Sequence, residues 1–191
     1  MNPKDFLYMG KNEKKILYAF MRYELEERKK ENEKVSTDGI SFMPSIGLIS
    51  RNLKLLRELY VNLRDLESSN LETKILVDDE KICNSLKDEN VEVSSFEGKY
   101  DNERLALIET TKRLLEKYDI IVSKEGPVDL NGFGDSVFGH FDARTKEIQV
   151  AANKGFLRIA NMANCFALAV PSSELSTAFV ILCDTNNVSA I

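Results

Sequence analysis

The sequence contains a single histidine, no tryptophan and three cysteines among 191 residues. One histidine excludes any site that needs two imidazole ligands. The cysteines at positions 83, 165 and 183 have no paired spacing, so we expect reduced thiols and a cytoplasmic setting. No apolar run approaches the ~20 residues of a membrane span, and we expect neither such a span nor a signal peptide.

What the chain does contain is a large apolar fraction and an uneven charge distribution. Apolar residues make up 43% of the sequence, which excludes an intrinsically disordered protein. Residues 1–76 carry 14 basic and 12 acidic residues, whereas residues 77–191 carry 12 and 19. This asymmetry favours an N-terminal part that meets a polyanion, with a solvated mixed-charge surface as the alternative.

The first 78 residues predict a small helical domain. Apolar residues spaced by three and four predict a helix from residue 11 to about residue 30. Asp38-Gly39 is a turn signal, and residues 40–43 favour a short strand after it. A second helical region covers residues 45–68, with apolar positions at Ile46, Ile49, Leu53, Leu56, Tyr60, Leu63 and Leu66.

This order of elements is typical of a winged helix-turn-helix domain, with a first helix at residues 44–53, a recognition helix at 55–68 and a wing at 71–79. A recognition helix needs an apolar face toward its own domain and cationic or amide side chains toward the DNA groove. The candidate DNA-binding residues are Arg51, Lys54, Arg57, Asn62, Arg64 and Lys74. The heptad spacing equally suits one unbroken helix in a hairpin or dimer, and a turn at residues 52–55 would distinguish the two.

Three short stretches carry a family resemblance. Leu7-Tyr8-Met9 with EKKILYAF at 13–20, DGISF at 38–42 and LRDLESSNL at 63–71 resemble the winged-helix N-terminal domain of plasmid and phage replication initiators. The resemblance implies a homodimer that binds double-stranded DNA in replication or transcription control of a mobile element. Asn70 departs from the family at a position usually held by a small turn residue.

Residues 79–100 have low apolar content and predict a linker, although residues 91–93 favour a short strand. Residues 101–191 predict a small α+β domain, and α+β is the fold class that we expect for the chain. Asp101 is expected to cap an amphipathic helix that ends at Tyr118, with Leu105 and Ile108 on its apolar face. Residues 120–122 predict a buried strand.

Three further elements are predicted toward the C-terminus. Alternating apolar and polar residues predict an antiparallel hairpin over residues 133–150. Residues 156–170 predict an apolar helix that ends at Pro171. A last helix, capped by Ser172 or Ser173, is expected to reach Cys183.

This C-terminal region also carries a resemblance. GHFD at 139–142, TKEIQV at 145–150, ANCFAL at 163–168 and ELSTAF at 174–179 resemble the ImmA/IrrE-type metallopeptidase domain that cleaves phage-type repressors. Active members bind zinc through His-Glu-x-x-His on a helix. Asn164, Cys165 and Leu168 stand at those positions here, so the resemblance implies a catalytically dead domain. Glu174 would be a relic of the third ligand or a carboxylate at a helix N-terminus.

Candidate sites for other chemistry are few. His140 and Asp142 lie two residues apart and could share a cation with Glu147 or Gln149, with the wet face of a hairpin as the alternative. We therefore expect no enzyme activity, no cofactor and no bound metal. The leading hypothesis is a DNA-binding regulatory protein, and the alternative is a protein-interaction or inhibitor module with a dead zincin-like domain.

Overall fold

The computed structural model describes residues 33–36, 38–42, 47–64, 73–86, 90–96, 98–100, 103–127, 143–144, 147, 151 and 153–185. The chain divides into two compact units, Met1–Glu33 with Met43–Ser68, and Lys34–Phe42 with Ser69–Ile191. No helix within these described ranges is long and apolar enough to cross a membrane.

Helix α1 (Leu53–Arg64) is the described element of the first unit. Asn52 caps it, because its side-chain Oδ1 accepts the backbone N–H of Leu55 at 3.2 Å. Residues 47–52 are not helical, so the helix predicted over residues 45–68 does not form there. The chain therefore breaks before Leu53, and the first helix of the predicted motif is absent at residues 47–52.

The second unit is α+β, as predicted. Its elements are β1 (Lys34–Val35), β2 (Ser41–Phe42), β3 (Ile75–Val77), α2 (Glu80–Leu86), β4 (Val91–Val93), α3 (Arg104–Leu115), β5 (Ile120–Glu125), a 3-10 helix (Phe156–Arg158), β6 (Cys165–Pro171) and β7 (Ala178–Asp184).

Five of these strands form one mixed sheet in the order β4-β3-β5-β7-β6. β3 pairs parallel with β4 and with β5, so that Val77 lies beside Val93 and Val122. β7 runs antiparallel to both β5 and β6. The apolar triplet of β3 suits an interior strand buried on both faces, which is why the predicted wing is wrong. The expected linker contributes α2 and β4 to this unit.

Two predictions for the middle of the chain are confirmed. The predicted helix over 101–118 is α3, and the predicted strand at 120–122 is the first half of β5. The predicted cap is wrong, because α3 follows Glu103, whose side chain makes no capping hydrogen bond. The buried face of α3 carries Leu107 and Ile108, whereas Leu105 is exposed. Ile121, Phe156 and Leu182 pack with that face in the main core.

Both helices predicted for the last third of the chain are wrong. Residues 165–171 and 178–184 form the antiparallel hairpin β6–β7 instead. Asn164 and Ser176 have positive φ angles of 57° and 56°, a left-handed conformation that interrupts each predicted helix. Apolar runs of this length fit a strand or a buried helix equally well, and here the bounding turns decide for strands.

The antiparallel hairpin of the sheet is therefore not the one predicted at residues 133–150. Residues 143, 144 and 147 are helical, which contradicts the strand expected at Glu147. Residues 133–142 lie outside the described residues, and so does the helix predicted over residues 11–30.

The short hairpin β1–β2 is anchored to the second unit. Its turn confirms the predicted signal, since Gly39 has a φ of +80°. Arg104, buried at the start of α3, forms a two-pronged pair with Asp38, at 2.9 Å from Nε and 2.7 Å from Nη2. Burial raises the pKa of Asp38, but hydrogen bonds from Arg104 and Ser36 outweigh it and leave that pKa below the ordinary value.

Candidate functional site

The polar face of α1 is cationic. Arg51, Lys54 and Arg57 are exposed, and none of the three forms an ion pair with another residue of the described ranges. Residues 51–64 hold four basic residues and one acidic residue. Lys54 and Arg57 lie three residues apart, which places them on neighbouring positions of one helix face.

The opposite face of α1 is apolar. Leu55, Leu56 and Leu59 are half-buried and lie roughly opposite Lys54 around the helix. A helix with this division presents its leucines to its own domain and its cations to solvent. This is the arrangement that the sequence predicted for a recognition helix.

The remaining predicted DNA-binding residues are placed differently. The side-chain amide of Asn62 donates to the backbone carbonyl of Glu58 at 2.7 Å, so that donor is already used within the helix. Lys74 belongs to the second unit, where its backbone N–H donates to the carboxylate of Asp119 at 2.9 Å. The side chain of Arg64 lies outside the described set.

A second candidate site lies at the carboxyl ends of β3 and β5. The chain passes from β3 to β4 on one side and then to β5 on the other, which makes this edge a topological switch point. In open α/β sheets, ligands bind in the crevice at such a point. The site is therefore the first place in the second unit to examine for chemistry.

This chain fills the switch point with its own ammonium group. Lys99 Nζ lies 2.5 Å from Asp78 Oδ2, 3.0 Å from Ser123 Oγ and 2.7 Å from the carbonyl oxygen of Lys124. Asp78 also accepts the Ser123 hydroxyl at 2.9 Å and the Lys124 backbone N–H at 2.8 Å. The side chains of Lys99 and Asp78 are only 12% and 6% exposed.

These contacts favour a structural role for the Lys99–Asp78–Ser123 cluster. A serine next to a lysine has the residue types of a nucleophile and its base. Ser123, however, is fully buried and donates its hydroxyl proton to Asp78. All three donors of Lys99 are directed at protein oxygens, so the cluster ties β3, β5 and the segment after β4 together.

Glu125, at the end of β5, is the other buried acidic group here. Its carboxylate accepts the backbone N–H groups of Gly155 at 2.9 Å and Phe156 at 2.6 Å. The close approach requires glycine at 155, since a Cβ there would lie 3.0 Å from Glu125 Oε1. Burial raises the pKa of Glu125, against the opposing effect of these N–H groups and of Lys99.

Replacing Glu125 with glutamine is expected to lower the free energy of unfolding by about 1–3 kcal/mol at neutral pH. The new NH2 group would face a backbone N–H donor that has lost its acceptor. Because the pKa of Glu125 is raised above its ordinary 4.5, the folded state holds its proton more tightly than the unfolded state. Wild-type stability relative to Glu125→Gln should therefore rise as pH falls from neutral toward 4.5. Urea unfolding of both proteins across this range measures the effect, and a constant difference would contradict it.

The sequence interpretation missed this cluster because it placed residues 79–100 in a linker. The missed signal is a repeated pattern of a short apolar triplet followed by polar residues. Residues 75–77, 91–93 and 120–122 are such triplets, and each is followed by Asp or Ser. Because helical segments separate them, the pattern is typical of parallel strands whose carboxyl ends share one edge.

The positions that resemble a zinc-binding helix lie elsewhere in the fold. Asn164 is in a turn, and Cys165 and Leu168 lie on β6. Burial raises the pKa of the Cys165 thiol to about 11, which disfavours the thiolate. His140 and Asp142 lie outside the described residues, and within the described set no three His, Cys, Asp or Glu side chains are grouped to hold a metal.

Comparisons of the chain with protein-family models, curated proteins and solved structures found no match.

Proposed function

We propose that this chain is a non-enzymatic regulatory protein that binds double-stranded DNA through α1. The observation that carries the proposal is the cationic face of that helix, formed by Arg51, Lys54 and Arg57. Lysine and arginine neutralise phosphates and release counterions from the duplex, and this is the main source of affinity in such complexes. The half-buried leucines on the opposite face leave these cations directed at solvent.

The proposed contact uses one helix rather than a complete winged helix-turn-helix. Residues 47–52 do not form the first helix of that motif, and β3 occupies the place of the wing. A single helix can still enter the major groove, which is wide enough to admit it. Arg57, and not Lys74, is therefore the residue on which the test depends.

Fluorescence anisotropy of a labelled duplex, titrated with the full chain at several salt concentrations, tests the proposal. We expect binding at low salt that weakens steeply as salt rises. Absence of binding at low salt would contradict the proposal. A control titration with a neutral polymer of similar length distinguishes DNA affinity from nonspecific association.

A second candidate function is capture of a protein partner. It is favoured by Ile49, which is fully exposed, and Leu53, which is 57% exposed at the start of α1. Neighbouring exposed apolar side chains are typical of protein interaction sites. A complex formed through them would survive high salt, whereas a DNA complex would dissociate.

A further inference from the structure

The outer strand β6 lacks the features that protect sheet edges. It stands at the end of the sheet order, and within the described ranges it pairs with β7 alone. Its seven residues include no charged side chain, and its one proline is the last residue, Pro171. The opposite edge strand, β4, has three residues, one of them Glu92. Natural sheets block outer edges with short strands, charges or proline, because outward N–H and C=O groups pair with other strands.

The order of residues in β6 is nearly symmetric. Phe166-Ala167-Leu168-Ala169-Val170 has Leu168 at its centre, an alanine on each side and a large apolar residue beyond each alanine. Side chains alternate between the two faces of a strand. The large residues of β6 therefore share one face of the sheet, and the alanines share the other.

This symmetry makes β6 complementary to itself. In an antiparallel pair centred on Leu168, each Leu168 faces the same residue of the second copy, and Ala167 faces Ala169. Phe166 then faces Val170, which continues the row of large apolar side chains. A two-fold contact requires that residue i meet residue j and that j meet i, and this sequence satisfies that rule without opposing like charges.

We propose that β6 pairs antiparallel with β6 of a second copy of this chain, centred on Leu168. The pairing joins two five-stranded sheets into one continuous sheet across a two-fold axis. The apolar composition of β6 selects this occupant, since a charged partner strand would gain no opposite charge from it. The inference rests on the sheet alone and is independent of DNA binding by α1.

Analytical ultracentrifugation of the full chain and of Leu168→Lys tests the pairing. We expect a wild-type dimer and a dimer dissociation constant at least about a hundredfold weaker in the variant, because two ammonium groups would face each other at the axis. The matched control is Leu175→Lys, which places the same charge on an exposed residue of the turn between β6 and β7. This control should remain a dimer, and circular dichroism checks that both variants are folded.

A cysteine at the axis gives an independent readout if the lysine variant does not fold. Leu168→Cys should form a covalent dimer under mild oxidation, because the two facing Cβ atoms lie about 5 Å apart. Leu175→Cys and the unmodified chain, with its own three cysteines, control for random crosslinking. A monomeric wild type, a dimer that Leu168→Lys leaves intact, or no specific crosslink would overturn the proposal. A monomer that pairs instead with an added strand peptide would also overturn it and assign the edge to another partner.

Discussion

Asp78→Ala is expected to lower the free energy of unfolding of the second unit by about 3–5 kcal/mol. The substitution removes the carboxylate that neutralises Lys99, whose side chain is 12% exposed. It also removes the acceptor of the Ser123 hydroxyl and of the Lys124 backbone N–H. A buried ammonium without its counterion is one of the few single changes with an effect of this size.

Chemical denaturation followed by far-ultraviolet circular dichroism measures the loss. The matched variant is the double replacement Asp78→Ala with Lys99→Met, which removes the orphaned charge and keeps the aliphatic stem. We expect this double variant to recover a large part of the lost stability, because the single variant suffers mainly from the buried charge. A loss below about 1 kcal/mol in Asp78→Ala would show that the cluster is well hydrated and contradict its structural role.

Reversing the three cations of α1, by replacing Arg51, Lys54 and Arg57 with glutamate, is expected to weaken duplex binding at low salt at least about a hundredfold. Each replacement removes a positive group that would meet a phosphate and introduces a negative group that repels it. All three side chains are exposed, so the fold should tolerate the changes.

The control for this triple variant changes net charge by the same amount in the second unit. Glutamate at Lys112, Arg113 and Lys117 reverses three exposed cations at the end of α3. Affinity should fall much less in the control than in the α1 variant. An equal loss in both would show that overall charge, rather than α1, determines DNA binding.

The sequence predicted α3 and the start of β5 because each has an unambiguous local pattern. α3 combines helical spacing with charged positions between the apolar ones, and Ile120-Ile121-Val122 is too short and too β-branched for a helix. The Asp38-Gly39 turn was predicted for a local reason as well, since glycine tolerates the φ of +80° found there.

The wrong predictions fall where the local pattern permits two structures. The apolar runs of β6 and β7 have no polar alternation, because most of their residues are at least partly covered on both faces. Asn164 and Ser176 break both runs through left-handed backbone conformations, which their residue types permit but do not require. Tertiary pairing across the hairpin therefore decided what local spacing could not.

The candidate sites divide in the same way. The cationic face of α1 was predictable, because exposed basic residues at helical spacing are a local feature. The cluster of Lys99, Asp78 and Ser123 was not found, because its members lie 21 and 24 residues from Lys99 along the chain. Only the parallel pairing of β3 with β5 brings them to one edge.

The most direct test of DNA binding by α1 is the salt dependence of duplex affinity, measured by anisotropy for the wild type and for Arg57→Gln. If Arg51, Lys54 and Arg57 each contact a phosphate, log K should fall against log salt with a slope of about −3. Loss of one such contact should make the slope shallower by about 1, while Lys117→Gln in α3 should leave it unchanged. Identical slopes for the wild type and Arg57→Gln would contradict the account.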